Sequence, residues 1–190
     1  MSKVKSIFRH WIPLAAVATA LCLFVYLAVQ QSMRWGANDP QIQMAEDAAA
    51  ALASGGTPES MLPAARVDIS TSLASFMVIY DNTGKPLASS ALLNGEMPVL
   101  PAGVFDYVRQ KGEDRVSWQP QPGVRMAIVV VPISGGQAGF VMAGRSLREV
   151  EKRVDQLGQI TLIAWLATLA GSLVVVALSE TIFFDRKQNP

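Results

Sequence analysis

Two long stretches of this chain carry no charged residue, one from Ile12 to Val29 and the other from Ile160 to Leu178. A helix rises about 1.5 Å per residue, so runs of this length nearly cross a hydrocarbon core about 30 Å thick. A buried core helix seldom runs so far without a charge. The first stretch has the basic start of a signal peptide in Lys3, Lys5 and Arg9. The residues after it, Val29 to Arg34, contain no small-x-small cleavage site. A lipoprotein processing site at Cys22 is excluded by the large Leu21 before it and by the apolar residues beyond. The sequence therefore predicts two uncleaved transmembrane helices, residues 11–31 and 158–182, the second carrying Glu180 near the headgroups.

The flanking charges orient the pair. The N-terminal tail holds three Lys/Arg and no acid, whereas Arg34 after the first span faces Asp39, Glu46 and Asp47. The positive-inside rule places such a tail in the cytoplasm. Arg186 and Lys187 agree after the second span. Arg145, Arg148, Lys152 and Arg153 precede that span on the outer side, but Glu149, Glu151 and Asp155 are mixed among them. The expected layout is cytoplasmic tails at 1–10 and 183–190 in a bacterial inner membrane, with residues 32–157 forming a periplasmic or extracellular domain. The total of 16 Lys and Arg against 15 Asp and Glu gives no overall charge that would draw nucleic acid. Cys22 is the single cysteine, so no intramolecular disulfide can form.

Between the spans, residues Gln41 to Ala53 are alanine-rich and stop at Gly55-Gly56, a helix signal with Asp39 as N-cap and Pro40 in the first turn. Pro58 and Pro63 mark a loop or short helical turn. Phe76 to Tyr80 reads as a strand, Asp81 to Lys85 as a turn, and Pro86 to Ser90 as the returning strand. Val104, Phe105 and Val108 share one helical face within Pro101 to Lys111, and Gly112 closes that helix. Strands follow at Arg115 to Gln119, Arg125 to Ile133 and Ala138 to Ala143, joined by turns at Gln119 to Gly123 and Ser134 to Gln137. Residues Met126 to Val131 and Phe140 to Ala143 are apolar on both faces, so helices should cover the sheet on both sides. The fold class expected is α+β, with one central five-stranded antiparallel sheet.

This order of elements resembles the single-Cache, PAS-like sensor domains of bacterial histidine kinases and chemoreceptors. The residues that carry the likeness are Phe76 to Pro86 (FMVIYDNTGKP) and Gly139 to Val150 (GFVMAGRSLREV), which lead into the second span. The likeness covers roughly residues 11–180 and implies that the turn residues are scaffold. Sensors of that family continue into a kinase or chemotaxis domain, whereas six residues follow Phe184 here. The sole histidine, His10, lies at the entrance of the first span, so a phosphorylated histidine within an output domain is not expected.

The resemblance also implies a ligand pocket between the sheet and the covering helix and loops on its distal side. Tyr107, Arg109, Trp118 and Arg125 would then be its aromatic and cationic lining. Arg125 shares a strand face with Ala127, Val129 and Val131, and an inward arginine there would require an anion, such as a carboxylate or phosphate held by two prongs. The competing reading leaves Arg125 exposed at the strand end and Trp118 in the core. No nucleophile elbow, metalloprotease motif or phosphate loop is present, so neither an enzyme nor a cofactor is expected. Asp81 with Asn82 serves a turn better than a metal.

After the sheet, Leu147, Val150, Val154 and Leu157 form a heptad-like seam, with Glu149–Arg153 and Arg148–Glu151 as supporting pairs. Ala164, Ala167, Thr168, Gly171 and Ser172 make a stripe of small residues in the second span, of a kind that lets membrane helices approach closely. A homodimer is one reading of both features. Packing within the chain is the other. The function expected is a membrane-anchored sensing or ligand-binding module that acts through a homodimer or a membrane signalling partner. The alternative is a structural or assembly protein of the envelope whose domain docks another protein.

Overall fold

The structure, a computed structural model, describes residues 3–36, 39–135 and 138–188. The side chains of Lys3, Arg34, Trp35, Asp39 and residues 183–188 are not among those described. The N-cap role expected of Asp39, the flanking charges Arg34, Arg186 and Lys187, and the Gly136-Gln137 part of the last turn therefore lie outside the described residues. The chain forms two compact units, one of Arg34–Glu151 and one of Met1–Met33 with Lys152–Pro190.

Among the described residues of the first unit, helices α2 (Asp39–Ala53), α3 (Pro58–Met61) and α4 (Ala102–Lys111) accompany seven strands. These are β1 (Val67–Asp68), β2 (Phe76–Asp81), β3 (Pro86–Ser89), β4 (Ala91–Leu92), β5 (Asp114–Gln121), β6 (Val124–Ile133) and β7 (Gly139–Ser146). Five of them make an antiparallel sheet in the order β3-β2-β7-β6-β5. A hairpin and a three-strand meander produce this order when β7 closes the meander against β2. The ladder runs from Met126↔Ser146 to Ile133↔Gly139 and carries β7 three residues beyond the expected end at Ala143. The fold is α+β with a five-stranded antiparallel sheet.

Both faces of the sheet are covered, as the doubly apolar strands require. On one side α2 presents Gln41, Ala45, Ala48, Ala49 and Leu52, a helical stripe, and its alanines pack closely on Met77, Ile79, Val129, Val131, Val141 and Ala143. On the other side Phe105 and Val108 of α4 join Phe76, Tyr80, Met126, Ile128, Phe140 and Met142. Phe105 sits edge-on to Tyr80, with ring centroids 5.1 Å apart, and lies 5.0 Å from Phe140. The buried Tyr80 hydroxyl donates to the Pro98 carbonyl at 3.0 Å, and loss of water around the ring holds its pKa far above the ordinary tyrosine value.

The turn between β2 and β3 is built on Asp81. One carboxylate oxygen accepts from the Thr83 amide at 2.8 Å, the Thr83 hydroxyl at 2.6 Å and the Lys85 amide at 2.9 Å. Gly84 takes φ +85° and lies under the Phe105 ring. These residues are scaffold in the geometric sense: they hold a strand return and a core aromatic together.

Helix α5 (Arg148–Gln188) follows β7, and its first turn is gripped by the sheet. The Leu147 amide donates to the Arg125 carbonyl at 2.9 Å, Arg148 reaches the Thr71 carbonyl at 2.9 Å, and Arg125 pairs with Glu151 at 2.5 Å. The expected Arg148–Glu151 pair is replaced by these contacts, because both side chains find partners on neighbouring strands and loops.

In the second unit, α1 (Lys3–Trp35) and the membrane-length part of α5 are long and apolar enough to cross a bilayer. They pack antiparallel. Trp165 donates to the Thr19 hydroxyl at 2.9 Å, and Trp11 donates to Ser172 at 3.0 Å and to the Leu169 carbonyl at 3.2 Å. At one end Glu180 accepts from Ser6 and meets His10 at 2.8 Å. Of the small-residue stripe, Ser172 faces α1, while Ala164, Ala167, Thr168 and Gly171 are exposed.

Candidate binding cleft

The four residues expected to line a pocket stand on α4, β5 and β6. Trp118 pairs across the ladder with Met126 and packs, half-buried, against the α4-side core. Arg125 is one residue from Met126, so its side chain belongs to the opposite face of the sheet, where it is half-exposed and bound to Glu151. Arg109 lies over the Phe140 ring with its guanidinium carbon 5.1 Å from the centroid, bonds Asp106 at 2.6 Å and donates to the Asn82 carbonyl at 2.6 Å. It straps α4 to the β2–β3 turn. Tyr107 stands exposed on α4. The space between α4 and the sheet, where the pocket was expected, is filled by Phe105, Tyr80, Phe140, Val108 and Leu100.

A cleft does exist elsewhere in the domain, beside the free edge of β3. It encloses about 530 Å³ and is lined by Leu87, Ala88 and Ser89 of β3, Leu62, Leu92 and Met97, with Glu59, Arg66, Gly95 and Glu96 completing the wall. Its origin lies in how the chain leaves the sheet after β3. Ser89 uses its hydroxyl to accept from the Ala91 amide at 2.9 Å and to donate to the Ala91 carbonyl at 2.7 Å, while the Ser90 hydroxyl accepts from the Met77 amide at 2.9 Å. These side-chain bonds substitute for regular ladder bonds and turn the strand aside into β4. There it pairs in parallel with β1, with the Val67 amide donating to the Ser90 carbonyl at 2.8 Å and the Ile69 amide to the Leu92 carbonyl at 2.9 Å.

That pairing fixes Arg66, the residue before β1, at one wall. The opposite wall is a two-residue turn: Leu93 and Glu96 exchange backbone bonds of 2.8 and 3.1 Å around Asn94 at φ +55° and Gly95 at φ +85°. Two successive positive φ values are the signature of the tight turn that Asn-Gly favours. The turn projects Glu96 and Met97 to the cleft. Glu59 comes from α3, the short helix whose first position is Pro58. The Asn94-Gly95 dipeptide, not read in the sequence analysis, is the local signal from which this turn could have been found.

Chemically the cleft is amphoteric. It carries two carboxylates, one guanidinium and an apolar lining, and none of Glu59, Arg66 or Glu96 makes a side-chain ion pair or hydrogen bond among the described residues. No group of three or more His, Cys, Asp or Glu side chains is placed to hold a metal ion among the described residues. No family model matches the chain, and no curated protein matches its sequence.

Proposed function

We propose that this protein is a membrane-anchored binding module whose domain lies outside the cytoplasm and takes a ligand in the cleft beside β3. It acts through a membrane partner or a second copy of itself and performs no chemistry of its own. The observation that carries the reading is the cleft: a cavity within the usual range of about 300–1,000 Å³ for ligand sites, with unpaired charges of both signs, on a domain whose two cores are otherwise filled. Two bilayer-length helices flanking the domain, and the basic N-terminal tail, support the anchoring and the orientation. The succession of long helix, hairpin, short helix and meander supports the likeness to single-Cache sensor domains. Exposed Ala164, Ala167, Thr168 and Gly171 on α5 leave a narrow face for a second copy.

The test is ligand-dependent stabilisation of the full chain in detergent across amino acids, carboxylates, peptides and polyamines. A ligand at 100 times its Kd stabilises by about 2.7 kcal/mol. The reading requires a hit that disappears in Leu87→Trp, which fills the cleft from an exposed position. A hit insensitive to that change would place binding elsewhere.

A second reading, a domain that docks another protein, is favoured by one observation. Leu87 and Met97 of the cleft lining expose large apolar surface, and exposed apolar surface of this kind marks contact sites. Under that reading Leu87→Trp leaves small-molecule stabilisation absent in both proteins and alters co-purification of a membrane partner.

A further inference from the structure

We infer that the ligand of the cleft is a short peptide with free termini and apolar side chains; this rests on the reading of the cleft as the binding site. Arg66 offers a planar fork for a carboxylate, which takes two parallel hydrogen bonds from a guanidinium. Glu59 and Glu96 offer acceptors for an ammonium group, and none of the three is committed to a partner among the described residues. Leu62, Leu87, Leu92 and Met97 form the apolar part of the same lining. The rim charges are exposed and of both signs, so a ligand carrying both signs is complementary to all of them while its apolar part meets the lining. An apolar zwitterion satisfies both.

Size and backbone chemistry separate a peptide from a free amino acid. At about 530 Å³ the cleft falls in the usual range for ligands of drug size, about 300–1,000 Å³, and a single amino acid leaves much of that space unfilled. One side of the cleft is also a sheet edge. The Ser90 amide donates to the Met77 carbonyl at 3.0 Å, which assigns residue 90 to the β2-facing set. Alternation along an antiparallel strand then directs the main-chain groups of Ser89 away from β2, to the free edge. A peptide has amide groups to meet them. The same edge limits the length of that peptide: Pro86 has no amide hydrogen and the ladder shifts register between Ile79 and Tyr80, features that block extended strand addition. A di- or tripeptide fits both the opening and the restriction.

The experiment is isothermal titration of the full chain in detergent with Leu-Leu, N-acetyl-Leu-Leu, Leu-Leu-amide and free leucine. Expected are saturable binding of Leu-Leu, at least tenfold weaker binding of free leucine, and at least tenfold weaker binding of each blocked form. Arg66→Ala should bind Leu-Leu and Leu-Leu-amide alike, while Glu59→Gln with Glu96→Gln should bind Leu-Leu and its acetylated form alike. Because all three substituted side chains are exposed, unchanged circular dichroism is expected and excludes misfolding as the cause. Equal affinity for free and blocked peptides, or no binding of Leu-Leu by a folded chain, overturns the inference. If another compound binds and is lost in Leu87→Trp, the cleft stands and the peptide falls; if no compound is sensitive to Leu87→Trp, both fall.

Discussion

Replacing Gly84 by alanine probes the joint between the β2–β3 turn and the aromatic core, and its cost divides into two separable parts. The first is conformational, since Gly84 has φ +85° and an L-residue in the left-handed region loses about 1–2 kcal/mol. The second is steric, because a methyl group at that position would stand 2.6 Å from Cε2 and 2.8 Å from Cδ2 of Phe105. The ring cannot swing away easily: it is buried and held between Tyr80 and Phe140, and overpacking of this kind costs about 1–3 kcal/mol. Gly112 is the matched control, with φ +89° and nothing within 4 Å of an added methyl group. Gly84→Ala should therefore lose about 2–5 kcal/mol and Gly112→Ala about 1–2 kcal/mol. At about 4 °C per kcal/mol for a domain of this size, the difference in Tm is about 4–12 °C. Thermal melts of the full chain in detergent, followed by circular dichroism, measure it. Equal losses in the two variants would refute the packing of this turn on Phe105. Adding Phe105→Leu to Gly84→Ala should recover part of the steric loss, since the two sites are in contact and so non-additive.

Three further outcomes follow from the geometry. Arg125→Ala should change stability by less than about 1 kcal/mol, because the Arg125–Glu151 pair is half-exposed, and should leave binding in the cleft unaltered by titration calorimetry. Hydrogen bonds from Thr83 and Lys85 hold the Asp81 carboxyl below its ordinary pKa of 3.8; the depressed folded-state value means that its contribution is present above that pH and lost as pH falls through the folded pKa. Acid unfolding of Asp81→Asn should accordingly lose part of the wild-type dependence below about pH 4, and an unchanged acid limb would contradict the turn. Trp165→Phe removes the bond to Thr19 and should weaken helix pairing by about 0.6 kcal/mol, read as a lower midpoint in detergent-driven unfolding.

How much of this was legible in the sequence differs by element. The β2 strand, its Asp-Asn-Thr-Gly turn and α4 announce themselves through strong local signals: a β-branched and aromatic run, turn chemistry, and apolar spacing closed by Gly112. The doubly apolar β6 and β7 correctly required cover on both faces, which α2 and α4 supply. The β1–β4 pair went unread because two-residue strands have no periodicity, and their partners are set by Ser89 and Ser90 hydroxyls that replace ladder bonds. The cleft was hidden for a related reason. Trp118 pairs with Met126, one step along β6 from Arg125 reverses the face, and Glu151 from a later element takes the arginine. Arg66, Glu59 and Glu96 come from three separate short elements, so no contiguous motif announces them. The Asn94-Gly95 turn is a local signal that went unread.

The placement of the domain away from the cytoplasm is the central claim, and the single cysteine makes it directly measurable. In a Cys22→Ser background, Ser117→Cys places one thiol on an exposed position of β5. Spheroplasts of the expressing bacterium are treated with a membrane-impermeant maleimide before and after lysis. Full labelling of the Ser117→Cys chain in unlysed spheroplasts is the predicted result, and labelling only after lysis would contradict the account.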